Sequence, residues 1–167
     1  MLALLFALCL PAQAYVYWTP EALVADMLPG ETPIRVDFTP DAAAKARLEA
    51  TLGYPLPRAS YPVYAGAAAG VILDDQRGQH EPIDFGVLID RQVTVRRVEI
   101  LVYREAYGDA VKGQAFRKQF VGLGLAAPLR PGRDIRIVSG ATISTRSIAV
   151  GVKRALALMA EYWKQAS

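Results

Sequence analysis

The sequence predicts an α+β fold: an antiparallel β-sheet with helices packed on it. Three observations carry that prediction. Apolar and polar residues alternate through Val93-Thr94-Val95-Arg96-Arg97-Val98-Glu99-Ile100, the period-two pattern of a strand with one buried and one wet face. The apolar runs at 71–73, 83–89 and 93–103 follow one another with short polar turns between them, which makes consecutive antiparallel strands. Near the C-terminus Ile148, Val152, Leu156, Met159 and Trp163 advance by three or four residues, the stripe of a helix that packs on such a sheet. A chain of 167 residues that is 53% hydrophobic is long enough for one domain with its own core.

Residues 1–14 have the form of a secretory signal. An apolar run at 2–10 is followed by Pro11 and the small-x-small triplet Ala12-Gln13-Ala14, which sets cleavage after Ala14. The run is too short to cross a bilayer as a helix, which takes about 20 apolar residues. Export past this leader makes the mature chain periplasmic. The single cysteine, Cys9, lies inside the leader, so the mature chain has no disulfide partner and no thiolate ligand. Leu8 is too large for the position before a lipidated cysteine.

Residues 15–62 are expected to form an N-terminal helical segment packed on the domain at 63–167. Thr19-Pro20-Glu21 supplies an N-cap with proline at the first helical position, and Pro29-Gly30 stops that helix after Leu28. Thr39-Pro40-Asp41 repeats the signal for a second helix through Ala44, Leu48 and Leu52, ended by Gly53. The stretch 54–62 holds Pro55, Pro57 and Pro62 and is expected to be a loop. From Val63 the pattern turns to strands. The first apolar run ends at Asp74-Asp75, the second follows the Gly78 turn, and the third follows the Asp90-Arg91 corner. Between Gly66 and Gly70 only alanines occur, so this stretch is either a strand that a ligand or helix approaches closely or a smooth packing surface. A turn at 105–108, a short helix over 112–120 with Phe116 and Phe120 on one side, and a long helix from near Ser144 toward Trp163 complete the chain.

Several chemistries are excluded by composition. One histidine, His80, and no mature cysteine leave only carboxylates for a metal. A Ser-His-Asp triad would need His80 to serve Ser139 or Ser144, with nothing to support the pairing. Gly122-Leu123-Gly124 falls short of a dinucleotide-binding fingerprint. A net charge of +3 on an exported chain argues against nucleic acid as a partner. His80 itself, in a polar turn, is read as a surface residue.

The stretch Ser139-Gly140-Ala141-Thr142-Ile143-Ser144 is the most informative. A hydroxyl-rich turn that feeds a helix offers open backbone N–H groups and the positive end of the helix dipole, a seat for a phosphate. Thr142 then stands beside that phosphate and is placed to hold it through an ester. On spacing alone the same residues also make an ordinary helix start. The run from Arg133 through Asp134-Ile135-Arg136-Ile137-Val138 to Ser144 resembles the flavinylation motif of the FMN-binding domain family. That family includes the small FMN-carrying subunits of the Rnf complex and of the sodium-pumping NADH:quinone oxidoreductase. His80 to Val87, Val98 to Glu105 and Phe116 to Gly122 follow in the family's order, so that the resemblance spans about half the chain.

The resemblance implies FMN joined by its phosphate to Thr142, with Ser139, Gly140, Ala141, Ser144 and Thr145 around it. It also places Glu105, Tyr107, Gly108 and Phe120 near the flavin. Glu105 is either a ring or ribityl partner or a strand-end cap, and Phe116, Phe120 and Tyr107 either flank the ring or pack the core. A flavin transferase would install the FMN from FAD after export. The implied function is an exported electron-transfer flavoprotein working between a membrane-side donor and a periplasmic acceptor, with membrane or periplasmic redox proteins as partners. A tether has a reason there, because it holds the effective concentration on the order of millimolar where a free flavin is diluted away. The alternatives are an exported binding module without flavin and a flavin-dependent reductase of a small molecule. One departure stands out: Arg136 occupies the position where the family usually has Asp, and the nearest acid is Asp134. Arg91, Arg96, Arg97, Arg104, Arg130, Arg133 and Arg136 are either a solvated face or a cluster that favours an anionic flavin and an acidic partner.

Overall fold

The computed structural model describes residues 14–105 and 109–166. Most of the leader, with Cys9, and the candidate site residues Tyr107 and Gly108 lie outside the described residues. The strands are β1 (Tyr15–Val16), β2 (Ile34–Phe38), β3 (Tyr61–Ala65), β4 (Ala69–Arg77), β5 (Pro82–Asp90) and β6 (Val95–Tyr103). The helices are α1 (Pro20–Met27), α2 (Ala42–Leu52), α3 (Gln114–Arg117) and α4 (Thr142–Gln165), with 3-10 turns at Asp109–Lys112 and Lys118–Phe120. All six strands join one antiparallel sheet in the order β1-β6-β5-β4-β3-β2.

The expected α+β architecture is present, and several details differ. The segment 15–62 carries the two expected helices and, in addition, β1 and β2, which form the two edges of the sheet. Both are short or interrupted by charge, so they carry little periodic signal. Pro62 does not break β3, because its residue pairs with Asp37 of the edge strand β2. Thr19 caps α1 as expected, accepting from the Ala22 N–H at 3.2 Å. In α2 the cap is Asp41 rather than Thr39; its carboxylate accepts from the Ala44 N–H at 2.7 Å. The helix expected over 112–120 is split into α3 and its flanking 3-10 turns.

Both sheet faces are covered, which explains the largest departure from simple alternation. Ile72, Ile83, Phe85 and Val87 pack with Ile148, Val152, Leu156 and Met159 of α4. On the opposite face Val71, Leu73 and Leu101 pack with Leu23, Val24 and Met27 of α1. Consecutive residues of β4 and β6 are therefore buried, and the wet face expected along β6 ends at Arg97. Asp74 and Asp75 do not stop β4 either. Asp74 points to the α4 side, where Arg154 donates to it from Nε at 2.7 Å and Arg58 pairs with its other oxygen. Arg154 Nη2 also donates to the Asp75 carbonyl at 2.7 Å.

α4 lies close to the sheet because glycines let it. A Cβ on Gly70 would stand 2.9 Å from Met159 Cε and 3.2 Å from Trp163, so the 66–70 stretch ends in a strand that a helix approaches closely. A Cβ on Gly151 would run into the Phe85 ring. Gly151→Ala is therefore expected to lower stability by about 1–3 kcal/mol in urea unfolding, although alanine is the better helix former. A variant at least as stable as the parent would show that this contact is slack.

Candidate functional site

The segment leading into α4 is built from its own backbone outward. Val138 C=O accepts from the Ala141 N–H at 3.0 Å, closing a turn across Ser139 and Gly140. Gly140 has φ +74°, the left-handed value that a turn of this kind reserves for glycine at its third position. α4 then starts at Thr142, two residues earlier than the apolar stripe suggests, with Ala141 as its N-cap. Alanine has no side-chain acceptor, so no cap bond forms. The first-turn N–H groups stay open at the positive end of a 24-residue helix.

The four hydroxyls of the stretch divide cleanly by direction. Ser144 and Thr145 are buried and turned into the scaffold. Ser144 Oγ is 2.9 Å from the Tyr103 hydroxyl at the end of β6, and Thr145 Oγ1 accepts from the Val138 N–H at 3.3 Å. Ser139 and Thr142 are exposed. Thr142 is therefore the hydroxyl that stands at the helix head and faces outward.

A cleft of about 490 Å³ opens in front of it, lined by Gly140, Ala141, Thr142, Ile143 and Ser144 on one side and Gln79, His80 and Glu105 on the other. The turn between β4 and β5 supplies Gln79 and His80. Glu105, which is buried, holds that turn: Oε1 accepts from the N–H groups of His80 at 2.7 Å and Glu81 at 3.1 Å. A Cβ on Gly78 would meet the same carboxylate. Glu105 thus acts as a cap on the neighbouring turn and lines the cleft as well. Glu105→Ala is expected to cost about 1–3 kcal/mol of stability in urea unfolding, with Glu105→Gln costing less, because the two N–H groups of the turn keep their acceptor only in the latter. Equal stability of the parent and both variants would contradict this role.

The structure brings most of the sequence candidates together. Gly140, Ala141, Thr142, Ser144 and Glu105 line the cleft, and Ser139 and Thr145 sit beside it in the turn and first helical turn. Phe120 does not line it. It is fully buried in the main core with its ring 5.4 Å from Phe116 and nearly perpendicular, so both phenylalanines follow the packing alternative. Gln79, His80 and Ile143 were not singled out as cleft residues by sequence reasoning. The Gly78 turn marks the hairpin, but only the packing of β5 and β6 carries its tip to the helix head.

The acid nearest the motif is already engaged. Asp134 Oδ2 accepts from the Arg130 N–H at 3.0 Å and from Arg130 Nε at 3.3 Å. The backbone bond above all holds its carboxyl below the usual carboxylate range. Arg136 shows its side chain to solvent, and Gln119 clamps its backbone by accepting from its N–H at 2.8 Å. The arginines on the sheet do not gather at the cleft. Arg96 pairs with Asp90, Arg97 with Asp26 and Glu99, and Arg104 with Asp84, while Arg91 stacks on Trp163 at 3.8 Å. On these positions the solvated-face alternative holds.

A phosphate-linked flavin fits this arrangement, on the grounds of open helix N–H groups, an outward hydroxyl and a cleft with both apolar and polar walls. Among the described residues no group of side chains is arranged to hold a metal ion, and no helix is long and apolar enough to cross a membrane. Comparison with known families agrees with the geometry. Residues 78–157, from the β4–β5 turn to the second half of α4, match the model of the FMN-binding domain family. No curated protein matches the chain.

Proposed function

With an FMN-binding domain at residues 78–157 as the premise, we propose that this protein is an exported electron carrier holding FMN covalently on Thr142. The observation that supports this most is the division of hydroxyls: Thr142 alone combines the first position of α4, exposure and the cleft wall. The open N–H groups of the first helical turn would hold the phosphate oxygens. Glu105 would keep the opposite wall in place, and Gln79 and His80 would offer polar contacts to the ribityl chain. Bound there, FMN would supply reversible transfer of one or two electrons.

For attachment from FAD by a flavin transferase, Thr142 Oγ1 would be the nucleophile that bonds the phosphorus of the FMN half, with the diphosphate bond broken and AMP as the leaving group. The hydroxyl proton is taken up by the transferase. The leader at 1–14 would bring the chain to the periplasm, where membrane or periplasmic redox proteins would serve as donor and acceptor.

The test is the intact mass and in-gel fluorescence of denatured protein purified from a host that expresses a flavin transferase. An increment of one FMN less one water is expected. Colourless protein of unmodified mass would overturn the reading. A second reading, an exported binding module that never receives flavin, is favoured by one observation, the arginine at 136 where the family usually has an acid. In that case the parent would stay at unmodified mass while Arg136→Asp would gain flavin under the same conditions.

A further inference from the structure

Two arginines without ion pairs among the described residues, Arg77 and Arg146, are tied to the first two turns of α4, while Arg91, Lys118 and Lys153, which make none there either, lie elsewhere. Arg35, Arg47, Arg58, Arg96, Arg97, Arg104, Arg117, Arg130 and Arg154 all sit in ion pairs. By contrast Arg77, Arg133, Arg136 and Arg146 are exposed and make no ion pair among the described residues. Arg146 is one turn along α4 from Thr142. Arg77 closes β4 where its carbonyl accepts from Ser147 Oγ at 2.6 Å, and Arg133 and Arg136 lie in the segment that feeds the turn.

An apolar strip accompanies these charges. Thr142, Ile143, Arg146 and Val150 are exposed, whereas Ser144, Thr145, Ile148, Ala149, Gly151 and Val152 are buried. At about 100° per residue the four exposed positions share one outward sector of the helix. Ile143 is 44% and Val150 40% exposed, beside Ile137 at 39% in the incoming segment. Ile143 and Val150, two turns apart on one sector, offer apolar contact to a partner beside the candidate cofactor site.

We propose that the outward face of α4, with Ile143 and Val150 on it and Arg77 and Arg146 beside them, docks a small redox protein that presents an acidic rim around an apolar patch. Charge complementarity selects the sign of the partner, and the apolar strip supplies contact once water is excluded. The choice of a redox protein as occupant rests on the flavin reading above. The docking face itself is a property of the folded chain, and it places the partner beside Thr142.

Two purified probes test this against the mature chain, with and without flavin: an oxidised plant-type ferredoxin, which is acidic, and cytochrome c, which is basic. Nuclear magnetic resonance titration should show ferredoxin broadening the amides of residues 143–150, with cytochrome c binding about tenfold more weakly or worse. The paired reversal Arg77→Glu with Arg146→Glu should weaken ferredoxin binding about tenfold at low salt, and about 0.3 M salt should remove most of the parent's advantage. Ile143→Ser with Val150→Ser should weaken binding several-fold and leave the salt dependence unchanged. Circular dichroism confirms that these exposed variants fold.

Broadening elsewhere on the protein, equal affinity for both probes, or indifference to the charge reversal would each overturn the proposal. So would stronger binding to phosphatidylserine vesicles through the same residues, which would make this a membrane contact. A chain that a transferase-expressing host leaves unflavinylated but that still binds ferredoxin at 143–150 loses the flavin reading alone. A flavinylated chain that ignores ferredoxin loses the docking proposal alone.

Discussion

Thr142→Ala is expected to abolish covalent flavin completely while leaving the fold intact. Ester formation needs an oxygen at this site, and the neighbouring hydroxyls cannot replace it. Ser144 is bonded to Tyr103, and Thr145 accepts from the Val138 N–H. Ser139 is exposed but sits before the left-handed Gly140, outside the first turn of α4. The stability of Thr142→Ala should stay within about 0.5 kcal/mol of the parent, because the residue is exposed and makes no cap bond. Thr142→Ser keeps the nucleophilic atom and should retain attachment, as should Ser139→Ala. Arg136→Asp, which restores the family's acid, should raise the flavinylated fraction. Intact mass of denatured samples checks all four, and flavin still bound to Thr142→Ala would remove the residue from its assigned role.

Asp74→Ala should produce the largest loss of stability, about 3–5 kcal/mol in urea unfolding. Arg154 is only 3% exposed and takes its charge compensation from Asp74, with the Asp75 carbonyl as a further acceptor. Removing the carboxylate leaves a guanidinium buried without a counter-charge, which costs far more than the pair itself contributes. Arg58 is partly exposed and still has Asp75 at 2.9 Å, so it can keep its partner. The double replacement Asp74→Leu with Arg154→Met should therefore recover much of the loss, since both charges leave together. A single variant as destabilised as the double, or less, would show that burial of Arg154 is not what makes Asp74 necessary.

Much of this architecture was legible because the relevant signals are local. Thr19-Pro20 sets the start of α1 through a cap and a missing N–H, and the stripe from Ile148 to Trp163 sets the buried face of α4 through helical spacing. β2 and the start of β3 were illegible for a related reason. Arg35 and Asp37 put charge on an edge strand, and Pro62 looks like a breaker unless its edge partner is known. The length of β4 was hidden because an aspartate inside a strand reads as a stop until Arg154, from a helix 80 residues away, is seen to pair with it.

The site divides in the same way. Gly140 and Thr142 announce themselves through turn chemistry, whereas the four-residue spacing of Phe116 and Phe120 puts the two rings on one side without saying whether that side meets the core or a flavin. The capping role of Glu105 depends on a hairpin that begins some 25 residues earlier in the chain. The paired and unpaired arginines could be told apart only once the acids on neighbouring strands had been placed beside them.

The inward anchoring of Ser144 and Thr145 governs how far a cargo on Thr142 could swing. With the adjacent hydroxyls bolted to Tyr103 and Val138, the post does not bend, and all travel comes from the rotatable bonds of the linker itself. A flavin held there would sweep a small, fixed arc, so a donor and an acceptor would have to come to it in turn instead of being reached across a gap.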